Sequence, residues 1–127
     1  MAAAEPLRPL ILICDDEPPL RELQKAALGS GYRYVEAANT SEAEAQLAVE
    51  PPALIVLDVM LPGKSGLEFL RELRESGHSR SIPVVVVSAW QSATDQQAAT
   101  DAGADAFLGK PFDPDAFARV VSDLVSA

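Results

Sequence analysis

The residues able to do polar chemistry stand at a few places along the chain. Asp15, Asp16 and Glu17 follow an apolar run, Asp58 ends another, Ser88 closes a run of valines, and Lys110 precedes Pro111. Taken singly, each has a plain reading: the acids complement a helix N-terminus, Asp58 caps a turn, and Ser88 and Lys110 are solvated loop residues. Taken together, they make a chemical set. Three carboxylates gathered without a cation repel one another and raise each other's pKa. An all-oxygen donor set suits Mg²⁺ better than zinc, which favours His or Cys. Three carboxylates, one divalent ion and the Lys110 ammonium sum to zero formal charge. A carboxylate at a strand end can then attack phosphorus and form an aspartyl phosphate, the cation and ammonium offsetting charge on the equatorial oxygens. Asp58 is the candidate nucleophile, with Asp15 and Asp16 placed to hold the metal from the side. Lys110 would reach the phosphoryl oxygens as a point charge, and the Ser88 hydroxyl would donate a hydrogen bond to another.

These residues are far apart in sequence, so the elements between them must bring them together. Apolar runs at Leu10 to Cys14, Tyr32 to Ala37, Ala53 to Leu57, Pro83 to Ser88 and Ala106 to Gly109 alternate with segments of helical periodicity. The third and fourth runs show no polar alternation, which predicts central strands of a parallel sheet covered on both faces. The intervening segments predict helices over Pro18 to Gly29, Ser41 to Ala48, Ser65 to Ser76, Thr94 to Ala102 and Pro114 to Ser126. In the last, Asp113 supplies an N-cap acceptor, Pro114 sits in the first turn, and Phe117, Val120, Val121 and Leu124 form an apolar stripe. The fourth helix offers little beyond Ala93, Ala98, Ala99 and Ala102, so it is expected to be weakly held and able to move. Alternating strands and helices imply right-handed crossovers and helices on both faces. In such folds the ligand site lies beyond the carboxyl ends of the strands.

At 127 residues, with 48% hydrophobic and 23% charged, the chain fits one globular domain and excludes disorder. Its net charge of −9 repels phosphate backbones and anionic lipid, so neither direct nucleic-acid binding nor membrane binding by this domain is expected. The single Cys14 cannot form an internal bridge and reads as a buried small hydrophobe in a cytoplasmic protein. No apolar stretch approaches bilayer-spanning length, and the start of the chain lacks a signal segment. His78 reads as a solvated loop residue, and Gly63 and Gly66 serve the loop after Asp58.

The sequence resembles the receiver domain of bacterial two-component response regulators over nearly its whole length. The motifs that carry the resemblance are Ile-Leu-Ile-Cys-Asp15-Asp16-Glu-Pro, Leu-Ile-Val-Leu-Asp58-Val-Met-Leu-Pro62-Gly-Lys-Ser-Gly66, Val-Val-Val-Val-Ser88-Ala89, Ala102-Gly-Ala-Asp-Ala-Phe107 and Lys110-Pro111-Phe112. The resemblance implies a flavodoxin-like α/β three-layer sandwich with a five-stranded parallel sheet in order 2-1-3-4-5 and five helices. It implies a single domain over residues 1–127, with a core at about 9–126. It makes Asp58 the phospho-acceptor, Asp16 a direct Mg²⁺ ligand, Asp15 a ligand through water and the Met60 carbonyl a further ligand. Ser88 would follow the phosphoryl group, Phe107 would be the aromatic switch, and the Lys110–Pro111 peptide would be cis. The implied partners are a sensor histidine kinase or phosphotransfer protein, and a downstream target or output domain. A homodimer through the face of the fourth helix, fifth strand and fifth helix is a further expectation. Met60 and Trp90 would flank the phosphoryl group and slow attack by water.

Other functions fit less well. An aspartyl phosphatase would need a second acid two residues after its nucleophile, and Met60 stands there. A nucleotide or flavin carrier would need backbone donors and glycines after the first strand, where this chain has acids. A receiver-like interaction scaffold that is never phosphorylated is the remaining alternative.

Overall fold

The computed structural model describes residues 8–89 and 91–126; Trp90 and the side chain of His78 lie outside this description. Five strands, β1 (Leu10–Cys14), β2 (Arg33–Ala37), β3 (Leu54–Leu57), β4 (Val84–Ser88) and β5 (Ala106–Gly109), form one sheet in the order β2-β1-β3-β4-β5. All pairings are parallel. The helices are α1 (Pro18–Leu28), α2 (Thr40–Val49), α3 (Gly66–Glu75), α4 (Ala93–Ala102) and α5 (Pro114–Ser126). This is the flavodoxin-like architecture that the motifs implied.

Strand alternation divides the core. Leu12, Cys14, Ile55, Leu57, Val84 and Val86 pack toward α2, α3 and α4, against Phe69, Leu70, Leu73, Ala99 and Ala102. Their neighbours Ile11, Ile13, Leu54, Val56, Val85 and Val87 pack against Phe117 and Val121 of α5 and the partly buried Ala27 and Leu28 of α1. Both faces of the central strands are therefore buried, which is why their sequences carry no polar alternation.

The differences from the sequence reading are small and local. Tyr32, Ala53 and Pro83 stand just outside their strands, and Gly29 is the α1 C-cap in a left-handed backbone (φ 82°) rather than its last helical residue. Ser65 and Ser76 are the caps of α3, while Ser92 and Asp95 form a reciprocal capping box that starts α4 at Ala93. Asn39 caps α2 by accepting from Glu42 N at 2.8 Å, which starts that helix at Thr40. Asp113 accepts from Asp115 N at 3.1 Å at the head of α5, as expected. Short 3₁₀ turns at Gly29–Gly31 and His78–Ser81 link α1 to β2 and α3 to β4. Among the described residues no helix is long and apolar enough to cross a membrane.

Helix α4 buries only Ala99 and Ala102, matching its thin apolar content. Its C-terminal end is nevertheless anchored by Arg74 of α3, a feature without a sequence signature. That guanidinium donates to the carbonyls of Gly103 (2.9 Å) and Ile82 (2.6 Å) and to Asp105 Oδ2 (2.9 Å). Asp105 Oδ2 also accepts from Val84 N at 2.8 Å. One side chain thus joins α3, the α4 C-cap and the entries of β4 and β5. Replacing it removes the guanidinium donors from two partly buried carbonyls, Gly103 O and Ile82 O. Arg74→Ala is expected to lower stability by about 2–3 kcal/mol, read as a lower urea midpoint with an unchanged slope.

Candidate functional site

The register of the sheet delivers the acids. Cys14 of β1 pairs with Leu57 of β3, so the next residues, Asp15 and Asp58, leave the sheet side by side. Asp58 N donates to Cys14 O at 2.9 Å and Asp15 N to Ala37 O at 3.0 Å, so both backbones continue the sheet pattern up to the acids. On the other side, Ser88 of β4 is level with Gly109 of β5, and Lys110 N donates to Ser88 O at 2.8 Å. This projects Lys110 from the adjacent strand end.

The Lys110 Nζ sits between the two acids, 2.9 Å from Asp15 Oδ2 and 2.9 Å from Asp58 Oδ2. Asp15 and Asp58 are 1% and 5% exposed, so their charges depend on protein donors rather than water. Each second oxygen is also held: Asp58 Oδ1 accepts from Met60 N at 2.9 Å, and Asp15 Oδ1 from Glu17 N at 3.0 Å. Burial pulls the Lys110 pKa down, but the hydrogen bonds and charges of Asp15 and Asp58 outweigh it, and the ammonium titrates above its ordinary value. Burial, helped by the neighbouring Asp15 charge, pushes the Cys14 thiol up to about 12. It is the inert small hydrophobe that the sequence suggested.

The carboxylates of Asp15, Asp16 and Glu17 lie within 4.8 Å of one another. Asp16 and Glu17 are exposed, and with Asp58, Met60, Ala89 and Lys110 they line an open recess of about 280 Å³. The donors are all oxygen, so this cluster fits a hard cation of the Mg²⁺ class. Gly66 shapes the rim. A Cβ there would lie 2.6 Å from Val59 Cα and 2.7 Å from Asp58 O, so only glycine lets α3 begin directly against the backbone that carries Asp58.

Asp15, Asp16, Asp58, Met60 and Lys110 therefore come together at one edge of the sheet. Ser88 is fully buried at the end of β4, which corrects its plain reading as a solvated loop residue. By strand alternation it shares the α3/α4 face with Val86 and with Phe107, which is level with Val86 and packs partly buried against that core. The Lys110–Pro111 peptide is cis. Sequence reasoning missed Arg21 and Gln24 of α1. Arg21 Nη1 donates to Asp15 O at 2.6 Å and its Nε pairs with Glu36 at 2.8 Å; Gln24 Nε2 lies 3.4 Å from Asp15 Oδ2. The available signal was a lone amide in the inward stripe of Leu20, Gln24, Ala27 and Leu28. Gln91 was also missed: its side chain donates to Lys110 O at 2.7 Å.

Residues 11–122 match the response regulator receiver domain family. The chain belongs to that family. This receiver domain is 39% identical over 125 residues to response regulator Rre1 of Synechocystis sp., which spans 97% of the chain and 53% of that protein. It is 41% identical over 105 residues to the phosphate regulon transcriptional regulatory protein PhoB of Pseudomonas aeruginosa, covering 82% of the chain and 46% of PhoB. The chain thus spans about half the length of these relatives. Among solved structures, it is similar to the signal receiver domain of a signal transduction histidine kinase from Syntrophus aciditrophicus. That match has a TM-score of 0.85 and 32% identity, covering 93% of this chain and 90% of the other.

The ammonium between two buried acids is open to direct test. Lys110→Met would leave Asp15 and Asp58 facing each other without a cation and lower stability at pH 7 by about 3 kcal/mol. Acid protonates the facing carboxylates and relieves their repulsion, so the variant's deficit should shrink toward low pH. In the parent, the contribution of Lys110 is complete below the ordinary lysine value of 10.5 and is lost as pH rises through its higher folded value. Urea unfolding of both proteins from pH 4 to 9 reads the difference; an equal deficit throughout would reject the electrostatic account.

Proposed function

We propose that this receiver domain is a phosphorylation-dependent signalling switch that accepts a phosphoryl group on Asp58 from the phosphohistidine of a sensor kinase or phosphotransfer protein. The observation that carries the reading is the Lys110 ammonium joined to both Asp15 and Asp58, residues 95 and 52 positions away in sequence. Receiver domains are generally Mg²⁺-binding, and here Asp15, Asp16 and Asp58, with the Met60 carbonyl, would hold the ion. When bound, Mg²⁺ supplies charge neutralisation for the phosphoryl oxygens.

The chain's own residues supply the rest. The Met60 amide and Lys110 fix both oxygens of Asp58, and so the plane of the attacking carboxylate. The Oδ–P bond forms as the N–P bond of phosphohistidine breaks, the imidazole leaving with the electron pair and taking a proton. Lys110 then neutralises oxygens of the transferred group, and the Ser88 hydroxyl donates to another. A protein donor must reach over the rim, where an apolar groove of about 410 Å³ lined by Leu20, Leu23, Ala26, Phe112 and Pro114 adjoins Lys110.

The proposed response is a shift between two packings. Ser88 and Phe107 share a face beneath α4, so movement of the hydroxyl toward the phosphoryl group frees space for the ring and alters the α4–β5–α5 surface. Modification shifts this equilibrium only by its differential interaction with the two states. A downstream target, an output domain or a second receiver would read that surface.

Incubation with a small phosphodonor and Mg²⁺, followed by intact-mass measurement, should add one phosphoryl mass to the parent and none to Asp58→Asn. Equal addition to both proteins, or none to either, would leave the interaction-scaffold reading in its place. Met60 is 40% exposed at the mouth of the recess, where its apolar side chain obstructs water. Met60→Asn is expected to shorten the phosphoryl lifetime several-fold, followed by loss of the added mass with time; an unchanged lifetime rejects the shielding role.

A further inference from the structure

The only fully buried residue of α1 is an amide, Gln24, at 1% exposure. Its Nε2 faces Asp15 Oδ2 at 3.4 Å, while its Oε1 has no hydrogen-bond partner among the described residues. The orientation has a physical cause, because the opposite amide rotamer would set its oxygen against the carboxylate. An apolar side chain of similar volume would fill the same space without a buried unpaired oxygen, so the amide lowers stability relative to that alternative. What it provides is a donor aimed at Asp15.

We infer that Gln24 is a positioning residue for Asp15, holding the carboxylate from the α1 side in the arrangement that receives the cation. This rests on the reading of Asp15 and Asp16 as the Mg²⁺ site. The type of donor matters. Lys110 reaches the same Asp15 oxygen at 2.9 Å but brings a positive charge; Gln24 orients the carboxylate without adding charge that would oppose a divalent ion. Arg21, one turn earlier on α1, grips the Asp15 carbonyl at 2.6 Å and is tied to Glu36. The helix therefore holds Asp15 by its main chain with an ionic group and by its carboxylate with a neutral one.

The inference predicts opposite changes in two measurements. In Gln24→Met and Gln24→Leu, calorimetric titration with Mg²⁺ alone should show affinity weaker by about tenfold, the lower end for loss of a hydrogen bond supporting a metal ligand. Thermal unfolding in chelator should show a Tm equal to the parent's or higher by roughly 2–5 °C. Parent-like Mg²⁺ affinity in both variants overturns the inference alone. Weaker affinity with a lower Tm in both assigns Gln24 a packing role and also overturns it. Absence of Mg²⁺ binding in the parent overturns the metal-site reading, and this inference with it.

Discussion

Two buried carboxylates can both stay ionised side by side in a protein interior only if something positive stands with them, and in this fold that group is the Lys110 ammonium. The order of the sheet follows from that need. β1 and β3 must be neighbours with Cys14 level with Leu57 for Asp15 and Asp58 to emerge together. The partner strands on the far side must place Lys110 within reach, which the pairing of Ser88 with Gly109 accomplishes. A slip of one residue in any of these registers would turn a side chain to the opposite face and separate the charges. The apolar core on both faces fixes the registers, so the site is positioned by packing some distance beneath it.

The two edges of the sheet are held differently. At the carboxyl edge, charged groups meet around an open recess. At the amino edge of β4 and β5, Arg74 and Asp105 join α3, the α4 C-cap and both strand entries. Helix α4 is thus anchored at its C-terminal end while its apolar contacts are confined to Ala99 and Ala102, near that same end. Its N-terminal half, nearest the recess, is held by its own capping box and by polar side chains. The helix is therefore fixed at one end and thinly packed at the other.

Most of the fold and the main site residues were legible because they are written in local patterns. Unbroken valine and leucine runs mark doubly covered strands, and an acid at a strand end is visible without coordinates. Lys110 was legible because a lysine after the fifth run completes the charge balance of the acids. What was not legible depends on contacts between distant segments. Arg74 looks like any surface arginine of an amphipathic helix, and only the fold shows that its fork meets Gly103, Ile82 and Asp105. Gln24 occupies an inward position of α1, but its amide acquires meaning only when Asp15 is seen against it. Ser88 was legible as the end of the fourth run, but its full burial was not, because serine taken alone is usually solvated. Helix ends shifted by a residue wherever a side-chain cap competed with the apolar pattern, as at Asn39 and Ser92.

The burial of the acids matches their partners. Asp15 and Asp58, the buried pair, are the two that Lys110 touches; Asp16 and Glu17, which lie with Asp15 in the acidic cluster, are exposed. A single ammonium offsets only part of the charge of such a cluster. The fold tolerates the remainder because the excess acids stand where water can solvate them, and the same placement leaves them free to meet a cation entering from solvent. Drawing Asp16 into the interior would require a second buried cation or a protonated acid, and either would close the cluster to a divalent ion. The division between a neutralised interior pair and a solvated outer pair is therefore the condition under which so acidic a cluster can be stable with a single ammonium.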